Sequence, residues 1–106
     1  MPFVIIGTET YQQELQEWPK AEREAAEKLP KKLAENPFVG KSLSYPFLRE
    51  KKIGGRRIYY LIYEDLNLVL LVALSEKKDQ QATIHHIKDH LKEFRTVAED
   101  IAKQVS

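Results

Sequence analysis

Phe3 to Ile6 form a short apolar run closed by Gly7, the pattern of a buried strand. Thr8 then offers a side-chain oxygen suited to an N-cap, and a helix is expected from Glu9 to Trp18, where Pro19 stops it. A second helix, from Lys20 to Glu35, carries Ala25, Ala26, Leu29 and Leu33 on one stripe and closes at Asn36-Pro37. Pro30 lies inside it and should kink or split it, because proline removes a helical donor and crowds the preceding turn. Residues 38–47, with Gly40, Ser42, Ser44 and Pro46 as breakers, read as a loop.

Three strands follow, at about 47–53, 56–64 and 68–74. The last is apolar at every position, as a central strand covered on both faces must be. Gly54-Gly55 between the first two reads as a hairpin turn, because glycine accepts the positive φ of tight primed turns. A two-residue turn there sets Ile53 opposite Arg56, Lys52 opposite Arg57 and Glu50 opposite Tyr59. A turn at Asp65-Leu66 sets Tyr63 against Leu68, Tyr59 against Val72 and Arg57 against Leu74. From Asp79 the period becomes helical: Ile84, Ile87, Leu91, Phe94, Ala98, Ile101 and Val105 recur in steps of three and four. One helix over residues 79–105 would be about 39 Å long at 1.5 Å per residue, more than a four-stranded sheet needs. Its last turns should therefore wrap the domain or dock on a partner, such as a second copy in a homodimer. The pattern describes one α+β domain over residues 1–106, in the order β-α-α-β-β-β-α.

Composition narrows the function classes. The 106 residues carry a net charge of +1, so bulk electrostatics do not announce a polyanion binder. Cysteine is absent, which excludes disulfides, thiolate metal sites and a cysteine nucleophile. No apolar run approaches the roughly 20 residues of a membrane span, and the N-terminus lacks the basic region of a signal peptide. A cytoplasmic protein that does not engage membranes is the expectation.

The charge is unevenly spread. Residues 9–35 hold seven acidic and five basic side chains, whereas residues 48–57 hold five basic and one acidic. The basic segment is the glycine hairpin. Lys52 and Arg57 share one face of the sheet, and like charges placed opposite one another destabilise a ladder, so the pair invites an anion such as phosphate. Edge strands also carry lysine and arginine simply to block edge pairing, which is the plainer reading of the same residues. His86 and His90 stand four apart with Asp89 and Glu93 nearby, a spacing compatible with a metal but short of a ligand set. No metal or other cofactor is expected.

Trp18-Pro19, Glu35-Asn36-Pro37-Phe38, the run from Leu48 to Tyr60 with Arg57 and Tyr60 in register, and Val69–Ala73 followed by Ser75-Glu76-Lys77-Lys78-Asp79 resemble the RelE/ParE toxin superfamily over roughly residues 3–80. The resemblance implies the toxin of a type II toxin–antitoxin system, held inactive by an antitoxin protein. RelE-type members cleave mRNA in the ribosomal A site without metal: the ribose 2′-oxygen attacks the adjacent phosphodiester and leaves a 2′,3′-cyclic phosphate. That chemistry needs a base, an acid and cations around phosphorus. Lys52 and Arg57 match the family's phosphate-stabilising lysine and arginine, and Lys77 stands where an arginine is usual. Arg49, Lys51, Arg56 and Lys78 are candidate contacts to RNA backbone, and Tyr59 is a candidate stacking surface for a base.

The chain also departs from the family pattern. Glu50 occupies the place of a second strand lysine, and the tyrosine expected after the last strand falls near Gln81 or Thr83. Some relatives use a glutamate and a C-terminal histidine instead, so Glu50 is the candidate base and His85 or His86 the candidate acid. Two further readings stay open: a ParE-like toxin that binds a protein such as DNA gyrase, and a catalytically silent member serving as a binding module.

Overall fold

A computed structural model of the chain describes residues 2–105. The ends of the expected 1–106 domain, Met1 and Ser106, lie outside the described residues. The architecture is α+β. Its strands are β1 (Val4–Gly7), β2 (Lys41–Leu43), β3 (Tyr45–Ile53), β4 (Arg56–Tyr63) and β5 (Leu68–Glu76); its helices are α1 (Glu9–Leu15), α2 (Lys20–Glu35), α3 (Gln80–Asp89) and α4 (Leu91–Val105). The strands form one sheet in the order β1-β5-β4-β3-β2, antiparallel except where β1 runs parallel to β5.

The all-apolar run becomes the inner strand β5, buried from Leu68 to Ala73 between β1 and β4. Each sheet face carries its own core. On one, Tyr11, Leu15 and Trp18 from α1 and its exit, with Ala26, Leu29 and Leu33 from α2, cover Ile58, Tyr60, Ile62, Val69 and Leu71. On the other, Ile84 and Ile87 of α3 cover Leu48, Tyr59, Leu61, Leu70 and Val72, with Phe94 and Ile101 of α4 packed alongside.

Thr8 caps α1 as expected, its hydroxyl accepting from the Tyr11 amide at 3.1 Å. The helix ends at Leu15 rather than Trp18, because the Glu17 and Trp18 amides tighten onto carbonyls three residues back and roll Trp18 into the core. Pro30 does not split α2. Ala26, Leu29 and Leu33 are buried on both sides of it, and their packing outweighs the roughly 3 kcal/mol an interior proline costs an isolated helix.

Three departures shape the site. β2 forms inside the segment expected to be a loop, pairing Lys41 with Glu50 and Ser42 with Arg49; at three residues among breakers it leaves no period to read. The hairpin register is as expected, with Ile53, Lys52 and Glu50 opposite Arg56, Arg57 and Tyr59. Only Gly54 of the two turn glycines takes positive φ, 61°, the distribution of a type II′ turn. The β4–β5 register, however, shifts between Tyr59 and Tyr60, so Tyr59 faces Ala73 and Arg57 faces Ser75 rather than Val72 and Leu74. A bulge reverses the side-chain parity of the strand beyond it. It sends Leu74 to the α2 face and brings Ser75 onto the face of Arg57 and Tyr59.

The expected 79–105 helix is two helices meeting at His90, whose φ of −121° lies outside the helical range. His90 Nδ1 donates to the His86 carbonyl at 2.8 Å, while its amide turns to Ile87 O. The break has a size argument: the molecule is only 35 Å in its longest extent, and an unbroken helix of about 39 Å would overshoot it. The apolar seam is thereby spent inside the molecule, leaving Val97 and Val105 exposed on α4.

Candidate phosphate site at the glycine hairpin

The hairpin end of β3, β4 and β5 gathers the polar residues buried in the core: Glu50, Arg57 and Ser75. Arg57 Nε donates to Glu50 Oε1 at 2.9 Å, and Gln80 Nε2, from the first turn of α3, donates to Glu50 Oε2 at 2.6 Å. Beside them the Tyr59 and Ser75 hydroxyls share a hydrogen bond of 2.8 Å. Burial pushes the Tyr59 hydroxyl above its ordinary pKa, against the smaller effect of its bond to Ser75. The phenol therefore stays neutral in the physiological range.

The expectation of an unneutralised Lys52–Arg57 pair needs correction. Glu50 is directly opposite Tyr59 and hence diagonal to Arg57 on the same face, within reach of a long side chain. It supplies the counter-charge internally. Arg57 nevertheless bonds only through Nε, and among the described residues no buried side-chain nitrogen or oxygen is left without a partner. The terminal guanidinium nitrogens therefore reach the small solvent-facing part of the site. Glu50 aims the guanidinium, whose side chain keeps only 7% of its surface exposed.

Around Arg57 the structure sorts the other candidates. Lys52, directly across from Arg57, is exposed and has no partner among the described residues. Lys77 is likewise exposed and unpartnered, in the 3-10 turn Lys77–Asp79 that follows β5. Lys78 pairs with Glu76 at 3.6 Å. Arg56 is held by Glu22 at 3.2 Å and Glu76 at 3.7 Å, over the ring of Trp18. Lys51 points to the opposite sheet face from Lys52, as strand alternation requires. Arg49 donates to the backbone carbonyls of Pro46 at 2.8 Å and Gly40 at 3.0 Å, so it holds the chain around β2 in place.

Three further expectations fail on geometry. Tyr59 is wholly buried and offers no free face for a base. His86 lines a cleft between the start of α1 and α4, with Thr10, Val72 and Phe94, six residues past Gln80. At 1.5 Å per residue that is roughly 9 Å along the axis, and on another side of it. His85 is exposed and makes no contact with the Glu50 cluster. Neither histidine converges with Glu50 on a common point. The His86 and His90 rings lie 4.3 Å apart, but no group of three metal-ligating side chains occurs among the described residues. Gln80 and Ser75 were missed in the sequence, because their place depends on the bulge in β5 and on the turn that starts α3.

No family model matches the chain, and no curated protein matches it in sequence. Solved structures do. A mutant of the Escherichia coli toxin RelE in the free state superposes with a TM-score of 0.72, covering 84% of this chain and 98% of that one at 17% identity. The fold is that of the RelE toxins. The RelE-like core recurs in the toxin–antitoxin complex RelBE2 from Mycobacterium tuberculosis, with a TM-score of 0.64 and 21% identity over 73% of this chain and 100% of that one. It recurs again in the archaeal RelE–RelB complex from Pyrococcus horikoshii, at a TM-score of 0.65 and 18% identity over 73% and 97%. These two alignments leave about a quarter of the chain outside the shared RelE-like core. No helix of the described residues is long and apolar enough to cross a membrane.

Proposed function

We propose that this chain is the toxin of a toxin–antitoxin pair and acts as a metal-independent, ribosome-dependent endoribonuclease on mRNA. The observation that carries the reading is Arg57, aimed by Glu50, with the unpartnered Lys52 directly across the strand pair and the unpartnered Lys77 in the turn after β5. In-line attack by a ribose 2′-oxygen forms a bond to phosphorus and breaks the bond to the 5′-oxygen, which leaves as a hydroxyl with a proton from solvent. Charge accumulates on the non-bridging oxygens, where fixed cations stabilise the transition state more than the ground state. Glu50 is the acceptor nearest to take the 2′-proton. A carboxylate offers about four acceptor sites, and Arg57 and Gln80 occupy one on each oxygen. Gln80 must withdraw from Oε2 for substrate to reach it.

The antitoxin is the proposed protein partner, since RelE-like neighbours are complexed with RelB antitoxins. A second reading, a ParE-like toxin that inhibits a protein such as DNA gyrase by binding, is favoured by one observation. The Glu50 side chain is only 1% exposed, and neither of the described histidines His85 and His86 lies beside it.

Programmed ribosomes carrying a defined mRNA separate the two. Cleavage within the A-site codon by the wild type, lost in Lys52→Ala, supports the nuclease. Intact mRNA with active gyrase inhibition supports the second reading.

A further inference from the structure

The exposed aromatic rings cluster at one place. Among the described residues the large exposed apolar side chains include three aromatics, Phe38, Tyr45 and Phe47, and all lie where the 3-10 turn Pro37–Val39 meets the start of β3. Tyr45 and Phe47 stack face to face, with centroids 4.9 Å apart and planes 10° from parallel. Ser44, at φ 60°, turns the chain between β2 and β3 and brings Tyr45 beside the end of α3. There Lys88 Nζ bonds the Ser44 hydroxyl at 3.3 Å and sits 5.9 Å from the Tyr45 ring centre. On the other side the Arg49 guanidinium lies 5.2 Å from the ring centre of Phe38. Phe38 and Phe47, with Ile62 and Tyr63, line an adjoining cleft of about 450 Å³.

The charges next to these rings are not spent on carboxylates. Arg49 donates only to backbone carbonyls, and Lys88 only to a hydroxyl. Arg95 at the same cleft shows the contrast, held by Asp65 at 2.7 Å and Glu99 at 3.1 Å. Exposed planar rings beside unneutralised cations suit a ligand with flat faces and negative charge along its backbone. That is single-stranded nucleic acid, whose bases stack on aromatic faces while its phosphates meet cations. An acidic peptide would satisfy the charges but not the rings.

We infer that Tyr45 and Phe47 form a stacking shelf for the bases of single-stranded RNA, with Arg49 and Lys88 on its phosphates. The choice of RNA rests on the proposed nuclease function. The shelf and the phosphate site share β3, but Phe47 and Lys52 are an odd number of residues apart and so lie on opposite sheet faces, which makes the shelf a separate RNA contact.

The test is fluorescence anisotropy with a dye-labelled, unstructured 2′-O-methyl RNA, which binds but lacks the attacking hydroxyl. Wild type should bind it with strong salt dependence. The double variant Tyr45→Ala/Phe47→Ala should bind at least tenfold more weakly, since a base–aromatic stack contributes about 1–3 kcal/mol. Tyr45→Trp/Phe47→Trp should restore binding. Tyr45→Leu, which keeps apolar bulk but loses the ring, should weaken it with an unchanged urea midpoint. Lys88→Ala should lower the salt slope by about one phosphate contact. Polyglutamate of matched charge should not displace the RNA. The shelf is overturned if folded wild type does not bind at low salt, if the ring-deleted variants bind as wild type, or if polyglutamate competes equally. Because this RNA cannot be cut, the expected binding pattern together with uncut mRNA on ribosomes would retain the shelf and discard the nuclease.

Discussion

Glu50 Oε1 accepts a hydrogen bond from Arg57 Nε at 2.9 Å, and the two side chains are only 1% and 7% exposed. The pair lies diagonally across β3 and β4, and Gln80 completes it from α3. Arg57 is therefore a structural partner of Glu50 as well as the candidate cation of the site.

Removing one member leaves a charge buried and unmatched. Arg57→Ala should destabilise the fold by about 3–5 kcal/mol, and Glu50→Ala by a similar amount. Replacing both with methionine should recover most of that loss without restoring phosphate binding. Urea unfolding of the four proteins checks this. An Arg57→Ala variant as stable as wild type would remove the structural role.

Lys52 and Lys77 behave oppositely, because neither has a partner among the described residues. Alanine at either position should change stability by no more than about 0.5 kcal/mol. If they stabilise charge at phosphorus, each should slow mRNA cleavage about a hundredfold or more. Single-turnover rates on programmed ribosomes, read beside the unfolding curves, separate catalytic from structural loss.

Gly40 is fixed by close approach rather than by its backbone angle. A Cβ there would sit 2.6 Å from the Tyr60 hydroxyl and 2.7 Å from the Glu50 carbonyl. Gly40→Ala should cost about 1–3 kcal/mol through overpacking. Tyr60→Phe should cost about as much, roughly 1–3 kcal/mol, since the hydroxyl donates to Pro37 O at 2.7 Å and accepts from the Gly40 amide at 3.0 Å. Thermal unfolding compares the two, and a neutral Gly40→Ala would show that this strap yields.

Burial pushes the Tyr11 and Tyr63 hydroxyls up to about 12, with Glu27 adding to the effect at Tyr11 and Arg95 opposing it at Tyr63. Tyr59 and Tyr60 are raised for the same main reason. Unfolded tyrosine titrates near 10, so above that pH the folded chain holds more protons than the unfolded one. This stability is fully present below pH 10 and is lost as pH climbs toward 12. Denaturation midpoints should be level through neutrality and fall across that window, with tyrosinate absorbance rising as the chain unfolds. A flat midpoint up to pH 12 would contradict the burial of these phenols.

The sequence by itself determined the elements whose signal is local. The apolar run of β5, the Thr8 cap, the stripe of α2 and the Gly54-Gly55 turn with its Lys52–Arg57 register can be read within a few residues. Period and turn chemistry act over that range. The resemblance of Leu48–Tyr60 to the RelE/ParE pattern pointed to the fold that the solved structures share. What the tertiary structure decided depends on packing between elements distant in the chain. The β5 bulge moved Ser75 onto the site, His90 broke the C-terminal helix to fit a 35 Å molecule, and α3 delivered Gln80 to Glu50. The bulge and the break change side-chain parity and helix direction without changing composition, so no sequence period records them. The site follows the same division: its cations and the register of Glu50 were legible in the sequence, whereas the buried Glu50–Arg57 bond and the reach of Gln80 to Glu50 came only with the packed structure.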